Sequence, residues 1–77
     1  MLEEHDRIVL TDNISDLSLE AGDVGTIVHI HQGGQAFEVE FLTLDGNTAT
    51  LATVLSSQAR PVTHTDITHA RELKMAG

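Results

Sequence analysis

The run Gly22-Asp23-Val24-Gly25-Thr26-Ile27-Val28-His29-Ile30 decides the architecture that this sequence predicts. It places a Gly-Asp corner directly ahead of an alternating strand, which is typical of the second strand of a small five-stranded barrel. Gly22 is expected to supply the turn conformation that opens the strand. Gly25 is expected at a bend or at a close approach of another part of the backbone.

A hairpin is predicted where Gln32-Gly33-Gly34-Gln35 joins this strand to the next. A two-residue Gly-Gly turn and a four-residue loop symmetric about it give the same register. That register pairs Ile30 with Phe37 and Val28 with Val39 on the buried face. It is favoured because a slip of one residue would bury glutamates. The strand at 36–44 has an apolar face of Phe37, Val39 and Phe41, with Glu38 and Glu40 opposite.

Shorter strands are predicted at both ends of the barrel. Residues 5–11 alternate so that Ile8 and Leu10 face one side. Between the first two strands, residues 12–21 predict a loop in which Leu17 and Leu19 tuck under the barrel. A brief last strand is expected at 60–62, after one helical turn at 56–58.

The fourth strand, residues 48–55, leaves its register open. It follows the turn Asp45-Gly46-Asn47, which can contain two residues or three residues with a bulge. The longer turn is favoured because it buries more apolar surface. The inward residues are Thr50, Ala52 and Val54 for the two-residue turn, and Leu51, Thr53 and Leu55 for the three-residue turn.

The chain therefore divides into a barrel over residues 1–62 and a short C-terminal helix or flexible tail over residues 63–77. Thr65 would cap the helix, and an apolar stripe would run along one side of it. Such a short helix is marginal alone and must dock to be stable. The stripe consists of Ile67, Ala70, Leu73 and Ala76, with Gly77 past the end.

Charge and composition exclude several classes of function. The formal net charge is −8 with only four Lys and Arg residues, so the phosphate neutralisation that drives nucleic-acid binding is missing. A basic protein partner would be attracted instead. Without Trp or Tyr, the chain offers no platform of aromatic rings for stacking bases.

Location and cofactor chemistry are also bounded by composition. The chain has no cysteine, which removes disulfides and thiolate metal ligands. No window approaches the roughly 20 apolar residues of a membrane span, and the acidic start lacks the pattern of a signal peptide. We therefore expect a cytoplasmic protein without cofactor or membrane contact.

A family resemblance is carried by several pieces that occur in a fixed order. Together they resemble a bacterial family of small SH3-like barrel proteins described only as a domain of unknown function. The resemblance covers residues 5–62 and implies an all-β, five-stranded SH3-like barrel. The pieces are Arg7-Ile8-Val9-Leu10, Gly22-Asp23-Val24-Gly25-Thr26-Ile27-Val28, Phe37-Glu38-Val39-Glu40-Phe41, Asp45-Gly46 and Gln58-Ala59-Arg60-Pro61-Val62.

The resemblance also bears on function. It brings no catalytic residues, and some members of the family accompany toxin-like genes, which implies an antitoxin or immunity role. Residues 22–30 also look like the KOW motif of ribosomal and transcription-elongation proteins, although the basic neighbours of that motif are absent here. RNA or ribosome binding is thus a disfavoured alternative, and a small accessory subunit of a larger complex is another.

The predicted function is that of a protein-binding module, not an enzyme. Arg60 is either a binding anchor or the partner of Asp6, Asp23 or a loop carboxylate. The residues expected to contact a basic partner are Asp12, Asp16, Glu20 and Asp23 on the first long loop, Glu38 and Glu40 as a second patch, and Arg60.

The histidines suggest no catalytic or metal site. His29 and His31 have a spacing that can chelate a metal, but with Glu38 or Glu40 they reach only two or three ligands where structural zinc has four. We expect a polar face on which His29 pairs with Glu38 across the strands. His64 and His69 are expected to face solvent.

Overall fold

The computed structural model describes residues 2–73 and consists of five antiparallel strands in the order β4-β3-β2-β1-β5. This confirms the predicted all-β, five-stranded fold and is compatible with an SH3-like arrangement, although β4 and β5 do not pair with each other to close the barrel. No helix in this described range is long and apolar enough to cross a membrane. The strands are β1 (Arg7–Leu10), β2 (Val24–His31), β3 (Ala36–Leu42), β4 (Thr48–Leu55) and β5 (Ala59–Pro61), and single 3₁₀ turns lie at Ser15–Leu17, Gln32–Gly34 and Ser56–Gln58.

The core lies between the inner faces of the strands and the first long loop. Simple alternation along β1 would place Val9 on the face opposite Ile8 and Leu10, in solvent. In the structure Val9 is buried like these two neighbours. Leu19 is buried as expected, but Leu17 is 39% exposed, so its predicted place under the barrel is wrong. The core consists of Ile8, Leu10, Leu19, Ile27, Phe37, Val39, Phe41, Ala52 and Val54.

Two glycines have the roles that the sequence predicts. Gly22 has a φ of +98°, a conformation that side-chain-bearing residues rarely adopt. Gly25 lies under β3, where a Cβ would come within 2.5 Å of Val39 Cγ1 and 2.9 Å of Phe41 Cε1. The backbone of β2 can therefore approach β3 side chains closely only because residue 25 has no side chain.

The β2–β3 hairpin has the predicted register at its loop end and a bulge further in. Ile30 pairs with Phe37, as expected. The register then shifts, so that Val39 lies opposite Ile27 and not opposite Val28. Val28 is the extra residue of the bulge and is 41% exposed. The bulge moves Ile27 to the buried face, and the pairing predicted for Val28 is wrong.

The register favoured for β4 is also wrong. Phe37, Val39 and Phe41 of β3 lie opposite Val54, Ala52 and Thr50, so these smaller residues face inward. Leu51 and Leu55 are 58% and 52% exposed on the outer face. The large β3 side chains already fill the narrow interior, and close packing favours small residues opposite them. The register of β4 is therefore set by the space that the β3 side chains leave, and not by the largest apolar burial of β4 itself.

The described part of the tail, residues 63–73, contains no helix. Asp66 instead closes a turn by accepting a 2.7 Å hydrogen bond from the Thr63 N–H. Ile67 is 89% exposed, so the predicted stripe does not dock as a helix face. Ala76 and Gly77, at the end of the predicted helix, lie outside the described residues.

Candidate protein-binding surface

The first long loop is a fixed unit built by its own backbone. Ile14 and Leu19 exchange two hydrogen bonds, of 2.8 and 3.1 Å, and Leu19 is inserted into the core. Asn13 Oδ1 accepts a 2.9 Å hydrogen bond from the Ala21 N–H, which ties the two ends of the loop together. The side chains that project from this loop are therefore held in defined positions.

Three of the predicted contact residues are exposed on this loop. Asp12 and Asp16 lie on its solvent side, and the Glu20 side chain is 59% exposed. A pocket of about 330 Å³ adjoins the loop and is lined by Glu20 and Glu72 together with Arg71, whose Nη1 lies 3.7 Å from Glu20 Oε2. The exposed carboxylates of Asp12, Asp16 and Glu20 form a negatively charged surface, which we call the loop surface, able to attract a cationic side chain.

Asp23, the fourth predicted contact on this loop, is in a different environment. It is only 9% exposed, and Oδ2 accepts a 2.9 Å hydrogen bond from the Glu20 N–H. Arg71 donates from Nε to Oδ1 at 2.8 Å and from Nη2 to Oδ2 at 2.5 Å. Burial raises the pKa of Asp23, but these hydrogen bonds and the nearby positive charge outweigh burial and hold the pKa below its usual range.

Arg71 connects the tail to the loop in a way that sequence reasoning missed. Its Nη2 also donates to the Ser18 carbonyl at 2.8 Å, and the side chain is only 19% exposed. His69 lies beside it, with Nε2 3.3 Å from Asp23 Oδ1 and its ring against Gly22. A buried carboxylate in a chain with four basic residues needs one of them as its partner, but the sequence pattern does not indicate that this partner is Arg71.

Arg60 is paired within the chain. Its guanidinium donates to both carboxylate oxygens of Asp66, at 3.0 and 2.8 Å. These hydrogen bonds hold the pKa of Asp66 well below its usual range. The structure therefore gives Arg60 a tail carboxylate as its partner, and not Asp6 or Asp23.

The second predicted patch, Glu38 and Glu40 on the outer face of β3, is hydrogen-bonded to neighbouring side chains. Thr53 donates a 2.7 Å hydrogen bond to Glu38 Oε2, and His31 Nε2 lies 3.0 Å from the same oxygen. Both lower the pKa of Glu38. Glu40 accepts a 2.7 Å hydrogen bond from Thr48. These carboxylates are less available to a partner than those of the loop surface.

The predicted pairing of His29 with Glu38 is right in register but not in contact. The two residues lie opposite each other, yet it is His31 that reaches the carboxylate. The His29 ring meets His31 edge-on at 4.6 Å between centroids, with Nδ1 3.8 Å from Glu4. In residues 2–73, no group of three or more histidines and carboxylates could hold a metal ion.

The tail also forms one wall of a larger groove, of about 640 Å³. Thr26 and Phe41 contribute to the wall on the strands, and Ile67 and Leu73 contribute to the wall on the tail. The ion pairs of Arg60 and Arg71 hold this tail wall in place at its two ends. The two ion pairs therefore set the shape of the groove.

Comparison with known proteins adds one finding. A family model described as a domain of unknown function, DUF4926, matches residues 4–61, which correspond closely to the five strands. No curated protein and no solved structure gives a significant match. The matched span ends at β5, so the tail that carries Asp66, His69 and Arg71 lies beyond it.

Proposed function

Because the chain belongs to the DUF4926 family, a domain of unknown function, we propose its role from its surface: it is a non-catalytic module that binds a basic protein. The observation that carries this proposal is the loop surface. A hydrogen-bonded loop presents Asp12, Asp16 and Glu20 to solvent, while Asp23 of the same loop is turned inward. Preorganised charges of one sign favour a partner of the opposite sign.

Internal pairing of the cations supports the same proposal. The chain has three arginines, and Arg60 and Arg71 are both held in ion pairs with aspartates of the chain itself. Arg71 also lies 3.7 Å from Glu20, so few positive charges are left to oppose Asp12 and Asp16, and the net charge is −8. The resulting field would speed encounter with a cationic protein and weaken as salt is added.

The partner we propose is a basic, toxin-like protein, which makes this chain a bacterial antitoxin or immunity protein. This finer step comes from the family resemblance of residues 5–62, since some of its members accompany toxin-like genes. Inhibition would occur by occlusion, with the loop surface covering a cationic site on the toxin. Glu38 and Glu40 would lie at the edge of the contact.

The first experiment is an affinity pull-down from native lysate at low salt, with bound proteins identified by mass spectrometry. We expect one small basic partner in stoichiometric amount. Its association rate should fall as ionic strength rises, because steering is screened. A rate that does not change with salt would contradict the proposal.

A matched pair of variants then locates the contact. Asp12→Asn/Asp16→Asn and Glu3→Gln/Glu4→Gln each remove two exposed negative charges, so they change the net charge equally. Only the first pair lies on the loop surface, and we expect it to slow association about tenfold or more. Equal effects of the two pairs would indicate a non-specific charge effect.

A second candidate is a small accessory subunit of a larger complex. Ile67 in the tail and Leu44 after β3 favour it, because they are 89% and 83% exposed and both line the large groove. An accessory subunit would migrate with a large assembly, whereas an antitoxin would form a discrete pair. Recovery of nucleic acid or ribosomal proteins in the pull-down would instead favour the RNA- or ribosome-binding alternative that the net charge of −8 disfavours.

A further inference from the structure

The two edges of the sheet differ in how they are protected from pairing with another chain. β5 is three residues long and contains Arg60 and Pro61, two features that block strand addition. β4 is eight residues long, Thr-Ala-Thr-Leu-Ala-Thr-Val-Leu, with no charge and no proline. It pairs with β3 on one side, and no other strand in residues 2–73 covers its outer edge. An edge of this kind is competent to add a strand.

The outer face of β4 is apolar where an added strand would lie beside it. Leu51 and Leu55 are 58% and 52% exposed and stand on either side of Thr53. Their neighbours Ala52 and Val54 are buried in the core, so β4 is held firmly with its leucines outward. Exposed leucines along an open edge gain burial when a second strand pairs with it.

The pattern of β4 is self-complementary about Thr53. A two-fold axis through this residue would set Thr53 opposite its own copy and Leu51 opposite Leu55 of the second copy. A two-fold interface requires this kind of self-matching. A strand with no charges, by contrast, offers nothing to select a basic partner.

We propose that β4 is the interface of a homodimer, in which a second copy of this chain adds its own β4 antiparallel to the first. The two five-stranded sheets become one continuous sheet, and the two copies of Leu51 and Leu55 cover each other. The loop surface is not needed for this contact. The dimer therefore goes beyond the proposed binding of a basic protein and can be tested separately.

Electrostatics are compatible with this arrangement. The net charge of −8 makes two copies repel over most of their surface, and uncharged β4 is a place where they can meet. The backbones of the two Glu38 residues nearest the axis would be three strand spacings apart, about 14 Å, with the carboxylates closer because each accepts a hydrogen bond from Thr53. That is longer than the screening length of about 8 Å at physiological salt. Added salt should therefore tighten the dimer, whereas it weakens the binding of a basic partner.

Sedimentation equilibrium of the purified chain at several salt concentrations tests the proposal. We expect a species of twice the 8.3 kDa chain mass whose dissociation constant falls as salt rises. A chain that stays monomeric at millimolar concentration in high salt would overturn the proposal. A dimer whose dissociation constant is lower at low salt than at high salt would also overturn the proposal, whatever the pull-down finds.

Three variants separate the edge from other causes. Thr53→Lys places two like charges opposite each other on the axis and should weaken the dimer at least tenfold. Thr53→Val removes the hydroxyl that donates a hydrogen bond to Glu38 but adds no charge, and Thr65→Lys adds the same charge as Thr53→Lys on the exposed tail. Both should dimerise like the original chain. If Thr65→Lys weakens the dimer as much as Thr53→Lys, the interface is not β4.

Cross-linking tests the register, because the chain has no cysteine of its own. Thr53→Cys should form a disulfide-linked dimer on mild oxidation, since residues directly opposite in an antiparallel pair have adjacent Cβ atoms. Leu51→Cys should cross-link with Leu55→Cys in a mixture, and much less with itself. Preferential self-linking of Leu51→Cys would overturn the axis at Thr53.

Discussion

Asp16 and Asp23 lie seven residues apart in one loop, yet they have different roles. Asp16 is exposed, whereas Asp23 is 9% exposed and bonded to Arg71 and to the Glu20 backbone. The same contrast separates Asp12 from Asp66, which is tied to Arg60. The comparison teaches that the acidic character of this chain has two components, one that stabilises the fold and one that is free to meet a partner.

Replacing Asp23 tests the stabilising component most strongly. Asp23→Ala removes the acceptor of the Arg71 and Glu20 hydrogen bonds and leaves the largely buried Arg71 guanidinium without its two short hydrogen bonds to a carboxylate. We expect the free energy of unfolding to fall by about 2 kcal/mol, since hydrogen bonds to charged groups are worth about 1.5–3 kcal/mol. Urea denaturation measures the change. Asp16→Ala is the control. Equal losses of unfolding free energy in the two variants would show that Asp23 stabilises the fold no more than an exposed aspartate does.

Acid should weaken the protein through the same groups. Asp23 and Asp66 have pKa values below their ordinary 3.8 in the folded state, so each stabilises the fold fully above that pH. The stabilisation is lost as the pH falls through the lowered pKa. We expect denaturation midpoints that are flat from pH 7 to about 5 and decline below about pH 4. Asp23→Ala should decline less steeply, and an identical slope would show that Asp23 does not contribute.

Arg71 tests the link between loop and tail. Arg71→Ala should cost less than Asp23→Ala, about 1 kcal/mol, because the Glu20 hydrogen bond to Asp23 remains. Amide exchange near His69 should quicken as the tail is released. Arg71→Lys keeps the charge but lacks the planar fork by which Nε and Nη2 meet the two carboxylate oxygens, so its stability should lie between those of Arg71→Ala and the original chain. Unchanged exchange in Arg71→Ala would show that another contact holds the tail.

The smallest effect on stability is expected at the loop surface. Asp12→Asn/Asp16→Asn should change the free energy of unfolding by less than about 0.5 kcal/mol, as surface substitutions usually do. Its effect should appear only in the rate of association with a basic partner. A loss of stability comparable to that of Asp23→Ala would place these carboxylates in the fold and remove them from the candidate interface.

The pairing of β2 with β3 near their connecting loop could be predicted from the sequence. Phe37, Val39 and Phe41 alternate with glutamates, and a register that buried the glutamates would be costly. This constraint is local, since it needs only the two strands and their loop. The bulge at Val28 was not visible, because inserting one residue changes which apolar side chain is buried without changing the composition of the strand.

The candidate site was predicted only in part. Exposed acids on the first loop follow from its polar sequence, but Asp23 looks the same in the sequence as Asp16. What distinguishes them is contact with Arg71, 48 residues further along the chain. The periodicity of a sequence carries no information on a contact between two such distant residues. The sequence pattern also predicts a helix in the tail, which residues 63–73 do not form.

The sequence by itself determined the all-β class, the turn at Gly22 and the close approach at Gly25, the pairing at the loop end of β2 and β3, and the sign of the surface charge. These depend on alternation, turn chemistry and composition, which act over a few residues or over the whole chain. The tertiary structure alone decided which face of β4 is buried and which carboxylates are free. Both depend on what fills the space opposite each side chain, and that is known only when distant segments have packed together.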